Sequence, residues 1–198
     1  MEIYMFKKLA LTGMMVSTLL LAESGVGLNI NEQDLEVEGI IDSRNLAALQ
    51  TSSTIFQADV NFLNNNEDTK LIGAGLGATN KLEGIEGVEV TLGAKFIWAE
   101  VVNENFTALP FMAKVRYSFP PLMFNIPPVA VEGKILYAPK VLSFGDSVTY
   151  NEFRVSADME VIESVRIYAG YRNIHTEYVG IKPDLFNTGF YGGLKFSY

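Results

Sequence analysis

The sequence has no cysteine and one histidine, His175. Disulfides, thiolate metal sites and a lipid-modified cysteine are excluded by the first absence. A single imidazole builds no histidine cluster, so no metal and no other cofactor is expected. Positive charge is also scarce. Fifteen Lys and Arg stand against 23 Asp and Glu, for a net charge of −8, which argues against a nucleic-acid partner. Hydrophobic residues make up 48% of the chain, yet beyond residue 24 no apolar run approaches the ~20 residues of a transmembrane helix. A membrane protein with this pattern has to be a closed β-barrel, the other form that satisfies its own backbone groups in lipid.

The one apolar run is Leu9 to Ala22, broken only by Thr12, Gly13, Ser17 and Thr18 and preceded by Lys7 and Lys8. Basic start, short apolar stretch and small residues after it are the pattern of a secretory signal. Residues 1–24 are read as that signal, with cleavage after Ala22 or Ser24. Residues 25–198 are read as one domain.

The stretch Leu185 to Tyr198 gives the clearest structural signal. Every second residue back from Tyr198, namely Phe196, Leu194, Gly192, Phe190, Thr188 and Phe186, falls on one face. Ser197, Lys195, Gly193, Tyr191, Gly189 and Asn187 fall on the other. Period-two alternation defines a strand with two environments. A closing strand that ends on an aromatic residue suits an outer-membrane barrel, and Phe190, Leu194, Phe196 and Tyr198 are read as its assembly signal.

Similar alternating segments occur near 35–42, 54–64, 70–80, 87–99, 107–119, 129–139, 150–162 and 165–177, with turn residues between them. With 185–198 these make nine strands, and bacterial single-chain barrels have even numbers. Residues 24–31 are the natural tenth. The predicted fold is therefore all-β, an antiparallel transmembrane β-barrel of eight to ten strands, ten favoured, with short periplasmic turns. The tight Glu163-Ser164 turn is placed on the periplasmic side, and 64–68 and 141–149 on the outer side.

One face of each strand carries no charge, for example Phe56, Ala58, Val60 and Phe62, or Phe153, Val155, Ala157, Met159 and Val161. These faces are assigned to lipid. The opposite faces hold Glu36, Glu38, Asp59, Glu89, Glu132, Glu152, Asp158 and Glu160, together with Lys95, Lys114, Arg116, Lys134, Arg154, Arg166, Arg172 and Lys195. Eight acids and eight bases predict a neutral, packed lumen of paired charges. Gly73, Gly75 and Gly77 leave room there for long side chains opposite. A wide diffusion pore is not expected from so few strands. Replacing Arg154 and Arg166 by Ala is expected to open a leak.

Chemistry-bearing motifs are few. His175 lies near a strand end, and Ser143 or Ser147 in a neighbouring loop could complete a Ser–His pair at the rim only if the fold brings them together. Gly73-x-Gly75-x-Gly77 lacks the spacing and following helix of a nucleotide fingerprint. Leu136-Tyr-Ala-Pro139, Tyr150-Asn-Glu152, Gly170-Tyr-Arg-Asn-Ile174 and Tyr191-Gly-Gly-Leu-Lys-Phe196 resemble the C-terminal half of the YfaZ-like outer-membrane proteins. That resemblance covers about residues 130–198. It implies a small secreted barrel without an assigned activity, and it supplies no catalytic residues.

The expectation is a non-enzymatic outer-membrane barrel of a Gram-negative bacterium, with a structural, surface-interaction or porin-like role. Its partners would be outer-membrane lipids and, during biogenesis, the barrel-assembly machinery. Two alternatives stay open at this point. One is an outer-membrane enzyme acting on lipid or peptide at the rim. The other is a soluble periplasmic β-barrel that binds a small ligand.

Overall fold

A computed structural model of the chain describes residues 25–43, 54–66, 69–101, 104–120, 127–178 and 184–197. The proposed signal at 1–24 and the terminal Tyr198 lie outside the described residues. Twelve strands follow in chain order: β1 (Gly25–Ile30), β2 (Asp34–Asp42), β3 (Ile55–Asn65), β4 (Lys70–Lys81), β5 (Val88–Val101), β6 (Glu104–Ala108), β7 (Phe111–Ser118), β8 (Val129–Ala138), β9 (Ser143–Gly145), β10 (Ser147–Ile162), β11 (Val165–Tyr178) and β12 (Asp184–Ser197). Ten of them form one antiparallel ring, β1-β2-β3-β4-β5-β7-β8-β10-β11-β12, closed by β12 pairing with β1 and β4 with β5. Closure leaves the ring without an edge.

β1 is the tenth strand that parity required, and its register is set on both sides, Leu28 lying opposite Leu194 of β12 and Val37 of β2. The expected strand at 107–119 is divided. β6 and β7 both pair with β5 and flank Leu109-Pro110. Pro110 has no N–H to give the ladder, but its carbonyl still accepts from Lys95 N–H at 2.9 Å. The loop expected at 141–149 is also largely ordered. A 3-10 turn at Lys140–Leu142 leads into β9, which pairs with β6, and β10 starts at Ser147. β6, β9 and the first residues of β10 thus raise the wall on one side of the barrel.

Glu163-Ser164 joins β10 and β11 directly, with Ser164 in the left-handed region at φ 68° and a register shift between Glu160 and Ile162, the pairing of a left-handed residue with a bulge that tight hairpins use. Residues Gly25 and Ser197 lie at this same end, called here the terminal end. Ile30, Asn65, Val101, Ala138 and Tyr178, the last residues of their strands, lie at the other end, the far end. The terminal end also holds the end of β2 and start of β3, and the end of β7 and start of β8, pairs joined by the long sequence stretches 43–54 and 119–128. The second of these contains Pro120, Pro121, Pro127 and Pro128, which cannot extend a ladder.

The alternation sorts the two faces as the sequence predicts. Phe56, Val60, Phe62, Ile72, Leu76, Leu92, Phe96, Phe111, Val115, Ile135, Phe153, Val155, Ile167, Phe190, Leu194 and Phe196 are exposed on the outside, Phe190 by 81% and Leu76 by 71%. Inward-facing charged and amide side chains are buried, as Glu36, Asp59, Lys95, Glu152, Arg154, Arg172 and Asn187 are, or half-buried, as Lys114, Glu132 and Lys195 are. This is the reverse of a soluble protein. Outward aromatic rings also meet: Tyr171 of β11 and Phe190 of β12 stack edge to face at 5.3 Å.

Candidate functional site

The lumen is the only interior this fold has, and it is built in layers. Inward residues at the far end of β3 to β11 are apolar: Leu63, Leu71, Ile97, Ala99, Phe106, Ala108, Leu136, Ala138, Tyr150 and Ile174 form one cluster in which none is more than 2% exposed. Phe106 packs its ring against Tyr150 at 6.0 Å. The sector left by β12, β1 and β2 is filled by Asn187, Asn29 and Asp34. A plug, apolar except for this polar sector, therefore crosses the lumen near the far end. Sequence reasoning missed it, although the signal was present. Where a strand meets the plug, apolar residues come in adjacent pairs, as in Phe62-Leu63, Leu71-Ile72, Phe96-Ile97 and Ile135-Leu136.

Beneath the plug lies a network of charge. Arg154 on β10 reaches across the lumen to Glu36 on β2 through Nη1–Oε2 and Nη2–Oε1, both 2.8 Å. Its Nη1 also donates to Glu38 Oε1 at 2.8 Å, and its Nε to Glu152. Arg172 on β11 donates to Glu36, to Asp34 Oδ1 at 2.6 Å and to Asn187 Oδ1 at 3.3 Å. Asn29 and Asn61 complete the shell of Glu36 at 3.0 and 2.7 Å. Glu36 is fully buried, so each of these donors replaces water that the carboxylate has lost. Tyr150 links plug to network by donating to Glu152 Oε2 at 2.5 Å.

Lys95 on β5 pairs with Asp59 on β3, passing over β4, the strand between them. A Cβ at Gly73 would strike Asn61 and Lys95, and one at Gly75 would strike the Asp59 carboxylate. Glycines at these positions give the buried pair its room. The third group lies nearer the terminal end. Arg116 bonds Asp158 at 2.6 Å, and Arg166 bonds Asp158 at 3.2 Å and Glu160 at 3.0 Å. Lys114 and Arg116 stand 3.7 and 3.6 Å from Glu132. Glu89 is opposite Arg116 in the β5–β7 register.

All sixteen charged residues expected in the lumen thus lie on inward registers. Further members of the network are Asp34, Asn29, Asn61 and Asn187, of which sequence reasoning named only Asn187, on the face opposite the lipid. Toward the terminal end the charges line a cavity of about 100 Å3 with walls that include Lys114, Lys134, Lys195, Glu132, Ser156 and Tyr191.

The rim pairing of His175 with Ser143 or Ser147 is not formed. His175 lies on the outward register between buried Ile174 and Thr176. Ser143 and Ser147 are buried, and their hydroxyls donate to the carbonyls of Pro139 at 3.3 Å and Thr149 at 3.2 Å. Among the described residues no group of three or more Asp, Glu or His could hold a metal. No helix among them is long and apolar enough to cross a membrane, which says nothing about a barrel that crosses with strands.

The fold and lumen define a closed ten-stranded antiparallel β-barrel with its polar side chains inside. Residues 6–198 match the YfaZ family, described as YfaZ precursor. The chain belongs to that family. No curated protein matches it. Among solved structures it is similar to a bacterial polysaccharide outer membrane secretin, with a TM-score of 0.46 and 8% identity over 88% of this chain and 69% of the other. Two mutants of an Rh. blastica porin share 10% identity over 88% of this chain and 98% of theirs, with TM-scores of 0.19. These overlaps are too low to carry an argument about function.

Proposed function

We propose that this protein is an outer-membrane β-barrel whose lumen is closed, and that it serves a structural or surface role instead of diffusion or catalysis. One observation carries the reading: the exposed outward belt of large apolar residues, from Phe56 and Leu76 to Phe153 and Phe190. Soluble monomers rarely expose contiguous apolar area beyond a few hundred Å2. A lipid bilayer covers such a belt at no cost, and outer-membrane barrels carry an apolar band ~25 Å tall for that purpose. The same observation disfavours a soluble periplasmic barrel. A rim enzyme loses its proposed nucleophile, because both serine hydroxyls are buried and engaged.

On this reading outer-membrane lipid is the protein's solvent, and the outward residues Phe190, Leu194 and Phe196 of β12 belong to the segment read by the assembly machinery. The terminal end, with its signal-proximal start, faces the periplasm. The decisive experiment is fractionation combined with gel mobility. The protein should be recovered in outer membranes, need detergent for extraction and migrate faster unheated than boiled. Recovery in the soluble periplasmic fraction would overturn the reading.

A further inference from the structure

The cavity at the terminal end has a charge arrangement that its own residues leave incomplete. Lys114 on β7 lies directly opposite Lys134 on β8, and Lys134 lies directly opposite Arg154 on β10, which in turn faces Arg172 on β11. Four cations in a cross-strand row are unfavourable unless something negative sits against them. Arg154 and Arg172 have Glu36, Glu38, Glu152 and Asp34. The two lysines are served less well. Lys114 meets Glu132 only at 3.7 Å, which is beyond hydrogen-bond length, and donates instead to the neutral Gln57 Oε1 at 3.5 Å. Among the described residues Lys134 has no carboxylate in ion-pair contact, and neither does Lys195 on β12; their nearest acids act on them from farther off. Glu132 lies within electrostatic reach of Lys114, Arg116, Lys195 and Lys134; Lys134 also feels Glu152, Asp59 and Glu38, and Lys195 feels Glu38, all without ion-pair contact.

We propose that this cavity binds a small oxyanion of the phosphate class, held by Lys114, Lys134 and Lys195. Lysine suits the role because it binds phosphate as a compact point charge on a flexible stem. The space is adequate: about 100 Å3, where a single water needs about 10–15 Å3. Ser156, opposite Glu132 in the β8–β10 register, and Tyr191 add hydroxyls to the wall. A group with several oxygens can take a hydrogen bond from each lysine at once, which Glu132 at its present distances does not. The plug blocks the far end, so the ligand enters and leaves at the terminal end. A free solute and a lipid headgroup both offer a phosphate, but the three lysines face the lumen, away from the apolar belt, which favours the solute.

The test is calorimetry of the folded full-length mature protein in a neutral detergent, titrated with inorganic phosphate at fixed ionic strength. One saturable site is expected, weakened at least tenfold in Lys134→Met and in Lys195→Met. Lys70→Met, at the outer rim beside Glu100, should bind as the parent does. Unheated gel mobility establishes that each variant is folded, and Lys195→Met decides alone if Lys134→Met does not fold. Absence of saturable binding by the parent overturns the proposal. So does unchanged binding in the decisive variant, or displacement by chloride at equal ionic strength. A short-chain phosphatidic acid is titrated in parallel. Binding of that lipid with none of inorganic phosphate places the anion on the outer surface and also overturns the site.

Discussion

Arg154 on β10 and Glu36 on β2, 118 positions apart in sequence, are joined across the lumen by two parallel hydrogen bonds of 2.8 Å. The fork matches guanidinium to carboxylate, the strongest geometry available to a charged pair. Both partners are buried and both hold further groups, so removing Glu36 takes one partner from Arg154 and one from Arg172 at once. Glu36→Gln should cost about 3–5 kcal/mol, the range for breaking a buried pair by deleting one partner. Urea unfolding of the protein in micelles measures this. Replacing both by leucine should recover only part of the loss, since Glu38 and Glu152 lose Arg154 and Arg172 loses Glu36, whereas apolar substitutes are often neutral for a self-contained pair. A Glu36→Gln variant as stable as the parent would contradict the account.

The lipid-facing register gives the second prediction. Val155 points outward near the middle of β10, and Ser156 points into the lumen opposite Glu132. Val155→Arg should destabilise the barrel in lipid vesicles by about 2–4 kcal/mol, the cost of arginine at the bilayer midplane. Ser156→Arg should cost less, because its charge meets Glu132. The reverse order in equilibrium unfolding would shift β10 by one residue.

The success of that register shows what the sequence made legible. A strand has only two faces, and lipid and lumen differ so sharply that Phe153, Val155 and Ala157 separate from Glu152, Arg154 and Ser156 by inspection. Height along the barrel is another matter. Alternation does not say that Leu63, Ile97, Leu136 and Ile174, on four different strands, meet in one layer, because their contact depends on strand stagger. The partner of a charge is equally hidden. Glu36 and Arg154 could each be assigned to the lumen from their own neighbours, but their pairing depends on closure of the whole ring. Pro110 shows a third limit. Proline in a strand reads as an end, yet β6 and β7 continue past it because the carbonyl still serves β5.

Close approach of β3 and β5 side chains over β4 leads to a prediction at glycine. Gly75→Val should push the Asp59 carboxylate out of its contact with Lys95, since a Cβ at that position meets it directly. Overpacking of this kind costs about 1–3 kcal/mol. Gly133 faces outward, and a Cβ there meets nothing within 4 Å. Gly133→Ala should leave the unfolding midpoint nearly unchanged. Similar midpoints for the two variants would show that the lumen over β4 is looser than its contacts indicate.

Conductance tests the layered lumen as a whole. The parent should give no steady channels in planar bilayers, because the plug and the Arg154 network close the bore in series. The layered lumen leads to a different outcome from the leak expected of Arg154→Ala with Arg166→Ala. Those changes empty part of the charged layer but leave Leu63, Leu71, Ile97, Phe106, Leu136 and Ile174 sealing the far end, and an apolar constriction resists wetting. The double variant should therefore remain silent. Adding Phe106→Ala and Tyr150→Ala removes the largest rings of the plug and releases the hydroxyl that holds Glu152. Only that quadruple variant should conduct, and with Glu36, Glu38 and Glu152 freed from Arg154 it should prefer cations. Channels from the Arg154→Ala, Arg166→Ala protein alone would mean that the plug is not a barrier and that charge pairing by itself keeps the barrel shut.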